Sequence, residues 1–384
     1  MVRNITLLCK VIDNFGDIGV VWRLARALKE CAAAPLDLRI IIDDLSAFAS
    51  VAPGVDTEKD DQQFSGCRIL RWSPGSAALA GITSFFEENP PQVIIECFAC
   101  GRPEWLETLL FDKGFPETVQ IINLEYLTAE PYAEEFHKLM SLTRSARVKK
   151  VNFMPGFTPN TGGLILDGVF MKSLEESRRS PVPEKTDFLF FSYERDCAPI
   201  VDALSKYKKL GKVRLAPGKG EAPFMKAYEA FFAGAACRDS GCTFPVEKLP
   251  FLPQPEWDSL LCRSGFLFIR GEDSLSRACL AGKPFVWHAY PQSEDYQLVK
   301  VKALLECMQP YFPGELYSIV KNVWLWYNSA PAAELADSFN PEKFLLQMFD
   351  SIELLRPCFE SFSAFLIKNG NLAVHLMTFI SEIV

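Results

Sequence analysis

The sequence predicts an α/β protein of two consecutive domains, each a mainly parallel sheet covered by helices. Three observations carry that prediction. Short runs rich in Val, Ile and Leu alternate with stretches of helical spacing. The alternation stops and restarts around a polar, Pro-rich stretch, and a chain of 384 residues exceeds one ordinary core.

Taken in order, Ile5 to Ile12 reads as a buried strand, Asp13 to Gly19 as a turn-rich loop, and Val20 to Leu28 as a helix. That is the opening of a βαβ unit. Further strands are expected over Asp37 to Ile42, Gln92 to Glu96 and Thr118 to Leu124, with helices over Ala77 to Glu88 and Trp105 to Lys113. Ser177 to Glu184, containing Ser180-Pro181-Val182-Pro183, is the linker candidate. Beyond it strands restart at Asp187 to Tyr193, Lys212 to Ala216 and Gly265 to Arg270. A helix over Ser274 to Ala281 is stopped by Gly282 and Pro284, and a strand follows over Phe285 to His288. The stretch from Phe359 to Val384 reads as one amphipathic helix. The expected organisation is therefore a first Rossmann-like domain over 1–176 joined by the C-terminal helix 359–384, a linker over 177–185, and a second Rossmann-like domain over 186–358.

A hydrophobic fraction of 49% with 23% charged residues is the composition of a folded chain. The net charge of −8 argues against nucleic acid as a partner, because phosphate-backbone affinity rests on clustered Lys and Arg. No apolar run approaches the roughly 18 residues of a membrane span. The apolar Ile5 to Cys9 is followed at once by Lys10, Asp13 and Asp17, unlike a secretory signal. Twelve scattered cysteines form no disulfide framework. A cytoplasmic protein with reduced thiols is expected.

In sheets of this class ligands sit outside the carboxyl ends of the strands, which singles out the loops after Ile12 and Ile269. The first sets Asp13 and Asp17 four residues apart beside Gly16 and Gly19, short of the three-glycine dinucleotide fingerprint. Asp17 can cap the helix near Ile18, or the two carboxylates can act as a base and its orienting group. The second loop, Arg270-Gly271-Glu272-Asp273-Ser274, enters a helix whose N-terminus suits a diphosphate. There Asp273 or Ser274 can be a cap and Arg270 can pair with an acid. Cys97-Phe98-Ala99-Cys100 has no second pair at zinc spacing; Cys237 and Cys242 lie at another interval. His137, His288 and His375 stand apart, so no metal is expected. Phe188, Phe190, Phe191 and Tyr193 suit a core, with Phe191 and Tyr193 also placed to stack on a base. On the residues alone, a nucleotide-sugar or NAD-dependent small-molecule enzyme and a non-catalytic nucleotide-binding module both stay open.

The segment Lys10-Val11-Ile12-Asp13-Asn14-Phe15-Gly16-Asp17-Ile18-Gly19-Val20-Val21-Trp22-Arg23-Leu24-Ala25-Arg26 closely resembles the opening of the EarP family. These are bacterial protein-arginine rhamnosyltransferases that modify translation elongation factor P. Phe153 to Leu164, Phe190 to Glu194, Phe268 to Ala278 and Gly282 to Gln292 are similar to the family as well. The resemblance implies a GT-B fold, dTDP-β-L-rhamnose as donor, inversion at the anomeric carbon, no metal, and an elongation factor P activated for ribosomes stalled at polyproline. By motif position it implies Asp17 as general base, with Asp13 and Glu272 as the other acidic groups needed for activity. Donor binding falls to Asn14, Phe15, Gly16, Phe191, Tyr193, Gln254, Arg270, Gly271, Glu272, Asp273, Ser274 and Tyr290.

Overall fold

Two sheets organise the chain in a computed structural model that describes residues 3–12, 15–233, 243–329, 335 and 339–384. The described residues divide into two compact units, residues 1–169 with 369–384 and residues 170–368.

In the first unit the strands are β1 (Asn4–Cys9), β2 (Asp37–Ile42), β3 (Asp61–Phe64), β4 (Cys67–Arg71), β5 (Val93–Cys97), β6 (Val119–Leu124), β7 (Met140–Ser141) and β8 (Val148–Phe153). They lie in the order β3-β4-β2-β1-β5-β6-β8-β7. Every pairing is parallel except the edge pairs β3–β4 and β7–β8. β5 and β6 are buried along their whole length, which is why they read as unbroken apolar runs. β8, next to the edge strand β7, is only partly buried, with Lys149 and Lys150 interrupting it, and β3–β4 is rich in charge. These strands lack an apolar run and escape the sequence pattern.

Helix α1 (Gly16–Cys31) packs on β1 through Ile18, Val21, Trp22, Leu24, Ala25 and Leu28. β1 stops at Cys9 and α1 starts at Gly16, so the predicted strand ran too far and the helix began too late. Apolar Val11 and Ile12 extended the pattern, yet Ile12 is 77% exposed.

The second unit holds β9 (Thr186–Phe190), β10 (Leu210–Leu215), β11 (Val246–Lys248), β12 (Phe266–Arg270) and β13 (Phe285–His288) in the order β11-β10-β9-β12-β13, all parallel. Helix α2 (Gly168–Arg179) spans the division between the units, and its first two residues belong to the first. The predicted linker, 177–185, begins within the last turn of α2, eight residues beyond that division. Ser177, Arg178 and Arg179 form that turn, where cations suit the carbonyl end of a helix.

The C-terminal stretch is two helices, α5 (Ile352–Lys368) in the second unit and α6 (Leu372–Ile383) in the first. Earlier in the second unit, α3 (Gln254–Arg263) precedes β12 and α4 (Glu272–Ala281) follows it. The break falls at Asn369-Gly370-Asn371. Gly370 takes φ +98°, and the Asn371 side chain accepts from the Ala373 amide to cap α6. α6 adds Leu372, Leu376, Phe379 and Ile380 to the core under β1 and α1.

Candidate functional site

Both sheets reverse their winding at one place. From β1 the chain proceeds to β2 and β4 on one side, then returns to place β5, β6 and β8 on the other. In the second sheet β9 leads to β10 and β11, and β12 and β13 then add on the opposite side. A crevice opens at such switch points outside the carboxyl ends of the strands. The loop after β1 lies at the first switch point and the loops after β9 and β12 at the second.

At the first, Asp17 lies in the opening turn of α1 and is 3% exposed. Of the two roles open to Asp17, the cap does not form: Phe15 is the N-cap residue, with no side-chain hydrogen bond to the helix. One Asp17 oxygen, Oδ2, instead accepts from the Ile12 amide at 2.7 Å, and Oδ1 accepts from the Tyr126 hydroxyl at 3.2 Å. The neighbouring Val11 amide donates to Asp43, at the end of β2, at 2.9 Å. Phe15 is 41% exposed and Gly16 half-buried. Asp13 and Asn14 lie outside the described residues.

Tyr126, which follows β6, is stacked on Phe98 with ring centroids 4.4 Å apart and planes 15° from parallel. Phe98 and Ala99, at the end of β5, both take positive φ, +60° and +51°. Sequence reasoning noticed these two only as the spacer of Cys97 and Cys100. Burial raises the Cys97 thiol well above its usual range and pushes Cys100 up to about 12, so neither is a thiolate. The ten described cysteines are all free; Cys237 and Cys242 lie outside the described residues.

In the second unit the Arg270 guanidinium sits 4.5 Å from the Phe191 ring centroid and 4.6 Å from that of Tyr193. No acid among the described residues pairs with it, contrary to the simpler expectation from sequence. Its buried Nε has no hydrogen-bond partner. The register of β12 on β9 pairs Phe268 with Phe190, so the residues after both strands emerge side by side. Phe188 and Phe190 are core residues, as expected. Gln254, buried, opens α3, whose Trp257 meets Phe191 edge-on at 5.1 Å.

Gly271 is the N-cap position of α4, at φ +72° and ψ 171°, a combination essentially confined to glycine. Neither Asp273 nor Ser274 is the cap; both lie inside the first turn with Glu272. Their placement aims the helix N-terminus, with its positive dipole end, at the switch point. Lys300 lies 3.3 Å from Glu272 and offsets its charge. Tyr290, 54% exposed, meets Tyr193 edge-on at 5.5 Å.

Three features here were missed. His288 ends β13, and its Nδ1 lies 2.9 Å from Ser192 Oγ, which accepts from the Tyr327 hydroxyl at 2.9 Å. Burial, with Arg195 and Arg270 adding to it, pushes His288 down to about 3, so the ring is neutral. The Gly218-Lys219-Gly220 loop closes over the site: a Cβ at Gly220 would lie 2.7 Å from the Ser192 carbonyl oxygen. Its signal, a Gly-x-Gly between strand and helix, was present in the sequence. Lys300 carried no local signal. Among the described residues no three His, Cys, Asp or Glu side chains are grouped as for a metal ion, and no helix is long and apolar enough to cross a membrane.

Residues 5–381 match the model of a family described as Elongation-Factor P (EF-P) rhamnosyltransferase EarP. The chain belongs to the EarP family. It is 32% identical over 325 residues to a protein-arginine rhamnosyltransferase of Shewanella oneidensis, covering 78% of this chain and 79% of that one. The Pseudomonas putida protein-arginine rhamnosyltransferase is 33% identical over 339 residues, covering 84% and 86%. A structure solved for EarP-mediated arginine glycosylation of translation elongation factor EF-P superposes with a TM-score of 0.59 at 19% identity over 100% of both chains. UDP-GlcNAc 2-epimerase from Neisseria meningitidis, bound to UDP-GlcNAc, superposes at 0.53 with 9% identity, covering 97% of this chain and 98% of that one. These likenesses identify the fold of this EarP family member as GT-B.

Proposed function

We propose that this chain transfers L-rhamnose from dTDP-β-L-rhamnose to an arginine of translation elongation factor P, with inversion and without a metal ion. The observation that carries the reading is the match to EF-P rhamnosyltransferases along residues 5–381. An elongation factor as acceptor puts the reaction in the cytoplasm, and the modified factor acts on ribosomes stalled at polyproline.

Inversion is one in-line displacement. A guanidinium nitrogen forms the bond to the anomeric carbon, the carbon–oxygen bond to the diphosphate breaks, and dTDP leaves with the electron pair. A guanidinium has a pKa above about 12 and a delocalised lone pair, so no carboxylate deprotonates it beforehand. In this reading Asp13 and Asp17 hold it by charge-assisted hydrogen bonds, and Asp17 takes the proton as the new bond makes the nitrogen acidic. Asn14, Phe15 and Gly16 border the sugar. Arg270 and the N-terminus of α4, over Gly271 to Ser274, stabilise the departing diphosphate. Glu272, its charge offset by Lys300 at 3.3 Å, binds a sugar hydroxyl. Phe191, Tyr193, Gln254 and Tyr290 complete donor binding.

The test is intact-mass analysis of elongation factor P incubated with this protein and dTDP-rhamnose. The expected result is a gain of one deoxyhexose on a single arginine, absent with Asp17→Asn. Donor binding without a mass change would point to another acceptor, and no donor binding would overturn the proposal.

A further inference from the structure

Asp17 is held by its own loop on one side and by the neighbouring strands on the other. Oδ2 takes the Ile12 amide at 2.7 Å, and that amide comes from the loop Asp17 itself closes. Oδ1 takes the Tyr126 hydroxyl at 3.2 Å, from the loop after β6, 109 residues away. Two donors on different oxygens fix both the position and the plane of a carboxylate.

The Tyr126 hydroxyl is in turn aimed by its ring, which lies flat on Phe98 at 4.4 Å. Phe98 reaches that position only because the chain leaves β5 in the left-handed region. Phe98 and Ala99 stand at φ +60° and +51°, followed by Gly101 at +69°. Two consecutive non-glycine residues there are held in an unfavourable backbone conformation. The Phe98 amide, donating to the Leu124 carbonyl at 2.7 Å, ties the strained turn to the end of β6. Strain kept at the switch point of a sheet, and used to seat one ring under another, calls for a role there.

We infer that Tyr126, seated on Phe98, is the positioning residue for the Asp17 carboxylate, orienting it toward the acceptor nitrogen. This rests on the proposed role of Asp17. Tyr126 exchanges no proton with substrate; its hydroxyl donates to Oδ1 and so sets the plane in which the carboxylate meets the acceptor.

The experiment is a double-mutant cycle of Tyr126→Phe and Asp17→Asn, read with dTDP-rhamnose and elongation factor P. Tyr126→Phe keeps the ring and its stack, so the melting temperature and the donor KM stay unchanged while kcat falls roughly 10- to 100-fold. In the Asp17→Asn background the same change has no further effect on residual turnover. Phe98→Leu, which keeps the hydroxyl but loosens the ring beneath it, lowers kcat by less. Full additivity of the two changes, or an unchanged kcat in Tyr126→Phe, overturns the inference. Undiminished turnover in Asp17→Asn alone instead overturns the assignment of Asp17.

Discussion

Arg270 illustrates what a single residue adds beyond its type. Sequence placed it at a strand end before a helix; its position beside Phe191 and Tyr193, 4.5 and 4.6 Å from their centroids, depends on the pairing of β9 with β12. A flat guanidinium fits between two rings, whereas an ammonium is a hydrated point charge. Arg270→Lys is therefore expected to raise the donor KM about tenfold or more, with little change in melting temperature; an unchanged KM would count against its role. His288 makes a second prediction. The unfolded chain takes up a proton near pH 6.5 that the folded chain refuses until about pH 3. Stability is complete above that window and is lost as pH falls through it, by up to about 1.4 kcal/mol per pH unit. His137, pushed down to about 4 by burial, acts in the same direction. Urea unfolding at pH 5 and pH 7.5 measures the slope, and His288→Asn is expected to flatten it. Equal slopes in the two proteins would remove His288 as a contributor. Lys300 and Tyr126 were not legible in the sequence because each reaches its carboxylate across a sheet or between helices, where no spacing rule operates.

At the level of elements, the strands buried on both faces were legible and the ends of elements were not. β2 and β13 were placed to the residue. The helix after Arg270 was found, but Gly271 rather than Asp273 or Ser274 precedes it. A predicted polar cap gave way to a glycine because the chain must turn at φ +72° as it leaves β12. Gly271→Ala meets no neighbour within 4 Å, so its cost is conformational alone, about 1–3 kcal/mol. The expected outcome is a lower melting temperature together with weaker donor binding, measured by calorimetry. Loss of stability with intact binding would show that the α4 N-terminus does not hold the donor. The break between α5 and α6 was readable in principle: Asn-Gly-Asn carries a helix stop and a cap in three residues. Apolar periodicity on both sides of it hid the change of unit.

For the whole molecule, two units and two sheets followed from the alternation of strand and helix, while the residue at which the C-terminal stretch returns to the first unit needed the packing. Leu372, Ala373, Leu376, Phe379 and Ile380 belong to the core built by β1, β2 and α1. Deleting residues 369–384 exposes that core, and cooperative unfolding of the first unit is expected to be lost. Circular dichroism with limited proteolysis checks this, and a truncated chain that melts normally would refute it. The same arrangement bears on biosynthesis. The first unit begins at the start of the chain and is completed by its last 16 residues, with unit two lying between. At about 5–20 residues per second, roughly 10 to 40 seconds separate emergence of the first 169 residues from that of the final helix. During that interval the apolar surface that α6 covers is open on the ribosome. Emergence of residues 369–384 thus decides when the unit that carries Asp17 finishes folding.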